Sequence, residues 1–248
     1  MKREIRQISD DGKTIRVTTP DSRWYIKTLE DGSIVEFPSV TWICNSYPKS
    51  ESYYRWLSAQ GFDNAEAISQ KAMRKGSKIH EAISLLLLEN TLKLDDKLHD
   101  PETGELEEIT AEEWEAIMSF TDWYKEVKPK MIVNEFVVFG EEPRCGGTVD
   151  FVCEIDGVRY LIDFKSGKGD IWPSYEIQVS AYSHMLPPEM KPEKLAILHV
   201  GYERNRKGWK FTEIEDQYDL FLAAHRIWKK EQGMVKLPQK EYPLTLSL

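Results

Sequence analysis

A chain of 248 residues with 41% hydrophobic and 30% charged side chains can enclose one well-buried domain, and it is too apolar for a disordered or collagen-like polymer. The net charge of −9 argues against a uniformly basic nucleic-acid binder, yet the excess is local. Residues 95–115 hold ten acids and one base, the rest of the chain balances, and the expectation for this segment is a solvated acidic loop.

The N-terminal 44 residues read as short strands, with Asp11-Gly12 and Asp31-Gly32 marking two hairpin turns. Residues 52–90 turn helical, with expected breaks at Gly61 and at Gly76-Ser77. The longest apolar run, 82–88, is interrupted by Ser84 and is too short to span a bilayer. Thr110 followed by Glu113 is a capping box that opens a helix to about 127, ended by Pro129. Three strand-like runs follow at 131–139, 148–155 and 158–164, then a glycine-rich loop at 166–172, a helix at 174–186, a strand at 194–202 and a last helix at 215–232. This order gives an α/β core with an N-terminal β-rich segment (1–45), a helical region (46–130), the core proper (131–235) and a tail (236–248), together one compact domain. The first residues lack an apolar signal segment, and the three cysteines, Cys44, Cys145 and Cys153, are too few and too scattered for a disulfide framework. A soluble cytoplasmic protein is expected.

The most informative stretch runs from Thr148 to Lys165. If Asp156-Gly157 is a two-residue hairpin loop, facing residues have numbers summing to 313. Glu154 then faces Arg159, Val152 faces Leu161, and Asp150 faces Asp163, while Phe151, Cys153 and Ile155 meet Ile162, Tyr160 and Val158 on an apolar face. Two carboxylates in direct opposition repel unless a cation neutralises them, and Mg²⁺ is typically held by one or two carboxylates plus phosphate. Lys165 lies two residues beyond Asp163 and points to the same face, where an ammonium can orient water or offset charge on a phosphate.

Asp150 with Asp163-Phe164-Lys165 resembles the PD-(D/E)xK nuclease motif, with Val149 in place of the proline. Gly76-Ser-Lys-Ile-His80, Gly147-Thr-Val-Asp150, Leu161-Ile-Asp-Phe-Lys165, Gln178-Val-Ser-Ala-Tyr182 and Pro38-Ser-Val-Thr41 together are similar to the RecB-like and phage exonuclease branch. The resemblance implies a restriction-endonuclease-like mixed β-sheet flanked by helices, carrying N-terminal β-hairpins and a helical insertion. It implies metal ligation by His80, Asp150, Asp163 and the backbone carbonyl of Phe164, with Lys165 as the catalytic lysine and Gln178 and Tyr182 lining the active site. Glu135, in the preceding strand, matches an acid often present there, as a further ligand or as a carboxylate that orients one. The Fe–S-containing relatives use four cysteines, so no cluster is expected. The implied activity is Mg²⁺-dependent hydrolysis of DNA, Mn²⁺ substituting, by an exonuclease of phage or bacterial-type DNA metabolism; the alternatives are a catalytically weak binding module or an endonuclease.

Phosphate contacts are expected from Arg74, Lys75 and Lys78 ahead of His80, from Arg144, and from Lys168 in the glycine-rich loop. Trp42, Tyr53, Tyr54 and Trp56 offer rings for stacking bases, although packing within the protein is the first expectation for them.

Overall fold

The computed structural model describes residues 4–7, 12–19, 22–100, 104–167 and 171–237. Four antiparallel strands in sequence order form an N-terminal sheet: β1 (Glu4–Gln7), β2 (Thr14–Thr18), β3 (Arg23–Thr28) and β4 (Ile34–Pro38). At the second expected turn, Asp31 accepts the Ser33 N–H at 2.9 Å and Gly32 takes φ +80°. Asp11, in the first expected turn, lies outside the described residues. Beyond β4 the strand-like reading ends early, because Val40–Cys44 is a short helix, α1. Its β-branched residues favour a strand in isolation. Ser39 caps it by accepting the Trp42 N–H at 3.1 Å, and burial of Val40, Ile43 and Cys44 on one side outweighs propensity.

The helical region comprises α2 (Glu51–Gln60) and α3 (Phe62–Glu89). Gly61, at φ +76°, separates them as expected. The second expected break is absent: α3 continues through Gly76-Ser77 for 28 residues. Gly76 instead serves close packing, since a Cβ there would lie 3.4 Å from Ser166 Oγ. The acidic stretch is likewise not a bare loop. It holds a two-stranded hairpin, β5 (Lys97–His99) and β6 (Leu106–Glu108), anchored because Leu98 and Ile109 bury with Ala82 and Ile117. Then α4 (Ala111–Val127) begins at the capping box, with Thr110 N–H donating to Glu113 Oε2 at 2.8 Å and Glu113 N–H donating to Thr110 Oγ1 at 3.3 Å.

The central sheet has five strands: β7 (Lys130–Glu141), β8 (Arg144–Ile155), β9 (Val158–Lys165), β10 (Lys194–Val200) and β11 (Trp209–Ile214), in spatial order β11-β10-β9-β8-β7. β11 was not expected from the sequence. Only β9 and β10 are parallel, joined by α5 (Pro173–Met185), so the sheet is mixed. α6 (Tyr218–Gln232) completes the core. Side chains alternate across the sheet except in β8 around Asp150, where Val149 and Val152, three residues apart, share a face. Val149, Val152, Leu161 and Ile197 pack under α1, α5 and α6, whereas Phe151, Ile162, Phe164 and Leu198 pack under α3 and α4. The fold is thus mixed α/β with helices on both faces of the sheet. Among the described residues, no helix is long and apolar enough to cross a membrane.

Candidate metal centre

The β8–β9 hairpin has the expected register: Ile155↔Val158, Glu154↔Arg159, Cys153↔Tyr160, Val152↔Leu161 and Phe151↔Ile162. Pairing stops there, one step short of Asp150 and Asp163. At that step the strands exchange backbone pairing for a side-chain contact, the Phe164 N–H donating to Asp150 Oδ2 at 2.9 Å. β9 keeps its other edge on β10, with Asp163↔Ile197 and Lys165↔His199.

His80 enters this opening from α3. Its Nε2 lies 2.9 Å from the Phe164 carbonyl oxygen and its Nδ1 lies 3.5 Å from Asp150 Oδ1. A third group arrives from β7. A one-residue bulge between Met131 and Val133 shifts the pairing, so that Asn134 faces Phe151 and Phe136 faces Val149. Glu135 therefore occupies the position opposite Asp150; with unbulged pairing Asn134 would stand there. Glu135 holds φ +51°, a left-handed conformation unfavourable for a residue with a Cβ. Next to it, Asn134 Nδ2 donates to Ser84 Oγ at 2.7 Å, tying β7 to α3 one turn beyond His80. Ligand atoms of His80, Glu135 and Asp150 all lie within 4.8 Å of one another, a spacing that suits one cation.

Asp163 is not a member of that group. Its carboxylate is 2% exposed and turned to other partners. Oδ2 forms an ion pair with Lys165 Nζ, and Oδ1 accepts from Gln178 Nε2 at 3.4 Å. Gln178 Nε2 also donates to Tyr182 Oη at 3.2 Å, consistent with their i,i+4 spacing on α5. Tyr182 leaves no room over the sheet: a Cβ on Gly147 would come within 2.3 Å of its ring.

Charge in the cluster is finely balanced. Burial alone would lower the His80 pKa, but the Asp150 carboxylate and then Glu135 raise it to about 9. The imidazolium thus bridges the Phe164 carbonyl and the Asp150 carboxylate. Burial opposes ionisation of Asp150, yet His80, Lys165 and the Phe164 N–H outweigh it and hold its pKa below the usual carboxylate value. Asp163 behaves oppositely. Burial raises it, Lys165 offsets part of that rise, Asp150 adds to it, and the result is about 6. For Lys165 burial works downwards, and the Asp163 and Asp150 carboxylates more than compensate.

The donor set fits a divalent cation. One imidazole, two carboxylates and an adjacent carbonyl oxygen make a mainly hard, oxygen-rich site with no thiolate. The three cysteines are free and buried in the core.

Sequence reasoning missed Tyr175. Its ring lies 4.7 Å from Lys165 Nζ, so the ammonium sits between the Asp163 carboxylate and an aromatic face. The available signal was its spacing, three residues before Gln178 on the same helix face.

The expected phosphate-binding bases mostly have other work. Lys78 is 3% exposed, paired with Glu113 at 3.2 Å and Glu107 at 3.3 Å, and donating to the Glu108 carbonyl at 3.1 Å. It is a buried structural cation, not a phosphate ligand. Lys75 is paired with Glu112. The acidic segment supplies these partners, which is why neither it nor the basic cluster is simply solvated. Arg74 is half-buried on α3. Arg144 lies over the Phe37 ring at 5.1 Å, about 20 Å along β8 from Asp150. Lys168 lies outside the described residues. Trp42 is half-buried, 5.3 Å from Trp24 and 5.0 Å from Trp228, whereas Tyr53, Tyr54 and Trp56 form a separate cluster on α2.

No protein-family model matches the chain, and no curated protein matches it.

Proposed function

We propose that this protein is a metal-dependent deoxyribonuclease of the PD-(D/E)xK type, with a restriction-endonuclease-like core, acting as an exonuclease with Mg²⁺ or Mn²⁺. The observation that carries this reading is the convergence of His80, Glu135 and Asp150 on one point, beside a separately buried Asp163–Lys165 pair. Carboxylates so placed repel a phosphodiester unless a cation stands between them, and a pure binding module has no use for them. His80, Glu135, Asp150 and the Phe164 carbonyl would hold the ion. A divalent ion bound there supplies Lewis-acid polarisation of phosphate and lowers the pKa of water.

The chain's own groups do the rest. His80 would hold the ion as the neutral imidazole, since only that form binds metal, which would leave the Phe164 carbonyl free of an imidazole N–H. Lys165 presents its ammonium to the attacking water or the phosphate oxygens, held from one side by Asp163 and from the other by Tyr175. Gln178 keeps Asp163 turned towards Lys165 and away from the metal ligands, and Tyr182 fixes Gln178.

The test is digestion of end-labelled DNA, single- and double-stranded, linear and closed-circular, with Mg²⁺ or EDTA. Linear DNA should be consumed with Mg²⁺ and survive in EDTA, and covalently closed circles should survive in both. Cleavage that resists chelation refutes the metal mechanism, and rapid cutting of circles with Mg²⁺ replaces the exonuclease by an endonuclease.

A further inference from the structure

Around His80 the two sides of α3 are held by different parts of the chain. Gly76, His80 and Ser84, spaced by four residues, share the face turned to the central sheet. Gly76 lies against Ser166, His80 reaches Phe164 and Asp150, and Ser84 Oγ accepts from Asn134 Nδ2. The other side is held by the acidic segment. Lys75 pairs with Glu112, while Glu81 places Oε1 2.6 Å from His99 Nδ1 and accepts the His99 N–H on Oε2 at 3.2 Å. Between these contacts Lys78 is buried, two residues before His80 and so about 160° round the helix from it. Its ammonium meets three acceptors: Glu113 Oε2 at 3.2 Å, Glu107 Oε2 at 3.3 Å and the Glu108 carbonyl at 3.1 Å. Glu113 Oε2 also accepts the Thr110 N–H, so one oxygen both caps α4 and pins α3.

Stability alone does not account for a buried cation here. Ala82, on the same side of α3, packs with Leu98, Ile109 and Ile117, and an apolar residue at 78 would extend that contact without desolvating a charge. What three fixed acceptors add is direction, since together they fit one rotation of α3 about its axis. Rotation matters at His80. Side-chain tips stand about 5–6 Å from a helix axis, so a turn of about 10° carries them about 1 Å. Ligand distances in a metal site hold to about 0.2 Å.

We infer that the acidic segment is a clamp that aims His80 at the metal, with Lys78 as its positioning residue. The inference rests on the proposed metal centre and adds what sets its affinity.

The experiment titrates Mn²⁺ into the full chain, well below its melting temperature, and reads free ion by electron paramagnetic resonance. The variant is Lys78→Met/Glu113→Gln, which removes the pair at constant net charge and keeps a capping side chain at 113. Neutral replacement of a buried pair is commonly tolerated, and circular dichroism melting checks the fold. Mn²⁺ affinity should fall at least about tenfold, the lower range for losing a group that orients a ligand. In a His80→Gln background the same two substitutions should cost less than about threefold. Val17→Ala, a buried truncation in the N-terminal sheet, should lower the melting temperature and leave Mn²⁺ affinity unchanged. A folded variant that binds Mn²⁺ like wild type overturns the clamp, as does an equal loss without His80 or in Val17→Ala. If the variant does not fold, Glu107→Gln/Glu112→Gln decides, because the side chains of both acids are at least half exposed. There, binding about threefold weaker upholds the inference and unchanged binding overturns it. If wild type binds no Mn²⁺, the metal-dependent reading itself fails and the inference falls with it.

Discussion

Gly147→Ala is a small substitution whose effect follows from a single close approach. The added Cβ would stand 2.3 Å from Tyr182 Cε1, 3.0 Å from Cζ and 3.1 Å from Oη. Tyr182 cannot simply swing aside: it is 3% exposed, and its hydroxyl accepts from Gln178 at 3.2 Å. Either the ring or β8 must move, and overpacking of this kind costs about 1–3 kcal/mol. For a chain of this size that corresponds to a fall in Tm of roughly 2–12 °C. Displacing Tyr182 also loosens Gln178 from Asp163, so single-turnover cleavage at saturating metal should fall together with stability. The assay is thermal melting of four proteins: wild type, Gly147→Ala, Tyr182→Ala and the double variant. With the ring removed, the extra methyl should cost less than about 0.5 kcal/mol, so the two substitutions couple strongly. Equal costs of Gly147→Ala in both backgrounds would show that Tyr182 is not what requires the glycine, and the argument for a rigid Tyr182–Gln178–Asp163 chain would fail with it.

Lys165→Ala removes the ammonium and leaves His80, Glu135 and Asp150 in place; cleavage should fall at least about a hundredfold while divalent-ion affinity by calorimetry stays within about tenfold. Glu135→Gly relieves the left-handed backbone and Glu135→Ala does not, so the glycine variant should melt higher than the alanine variant by about 1 kcal/mol, with both binding divalent ions at least about tenfold more weakly than wild type. In EDTA, the His80 pKa raised from 6.5 to about 9 contributes stability that is complete below pH 6.5 and lost as pH rises through 9, at most about 3 kcal/mol. The Tm of metal-free wild type should therefore fall across that window more steeply than that of His80→Gln, and equal slopes would remove the imidazolium bridge.

The parts of the centre legible in the sequence were those fixed by short-range pairing. Asp156-Gly157 sets the turn, the alternating residues on either side set the register, and the structure has that register through Phe151 and Ile162. The Thr110–Glu113 cap was equally local. What escaped depended on contacts distant in sequence. The bulge near Ile132, which brings Glu135 rather than Asn134 opposite Asp150, leaves no mark in the local residue pattern. Nor did composition reveal that Lys78 is buried against Glu113, because the spacing between them is closed only when α3 packs on α4. The same blindness applied to α1, whose valine, threonine and isoleucine read as a strand until a face is buried. Tyr175 was hidden for another reason: its spacing from Gln178 marks the helix face but not the ring's contact with Lys165.

The unbroken passage of α3 through Gly76-Ser77 fixes an angular phase between two distant things, the aromatic rings of α2 and the imidazole of His80. Each helical residue turns the chain by about 100° and advances it about 1.5 Å. Deleting one residue between Ala65 and Gly76 would touch neither α2 nor the centre, yet it would swing α2 about 100° around the axis and aim its rings at a different sector. Deleting seven residues would shorten the reach by about 10.5 Å while misaligning the phase by only about 20°. The distance from α2 to the centre can therefore change only in steps of whole helical turns, such as about seven or eleven residues, if the direction is to be kept. A break at Gly76 would have let length and direction vary independently; the continuous helix makes them a single variable.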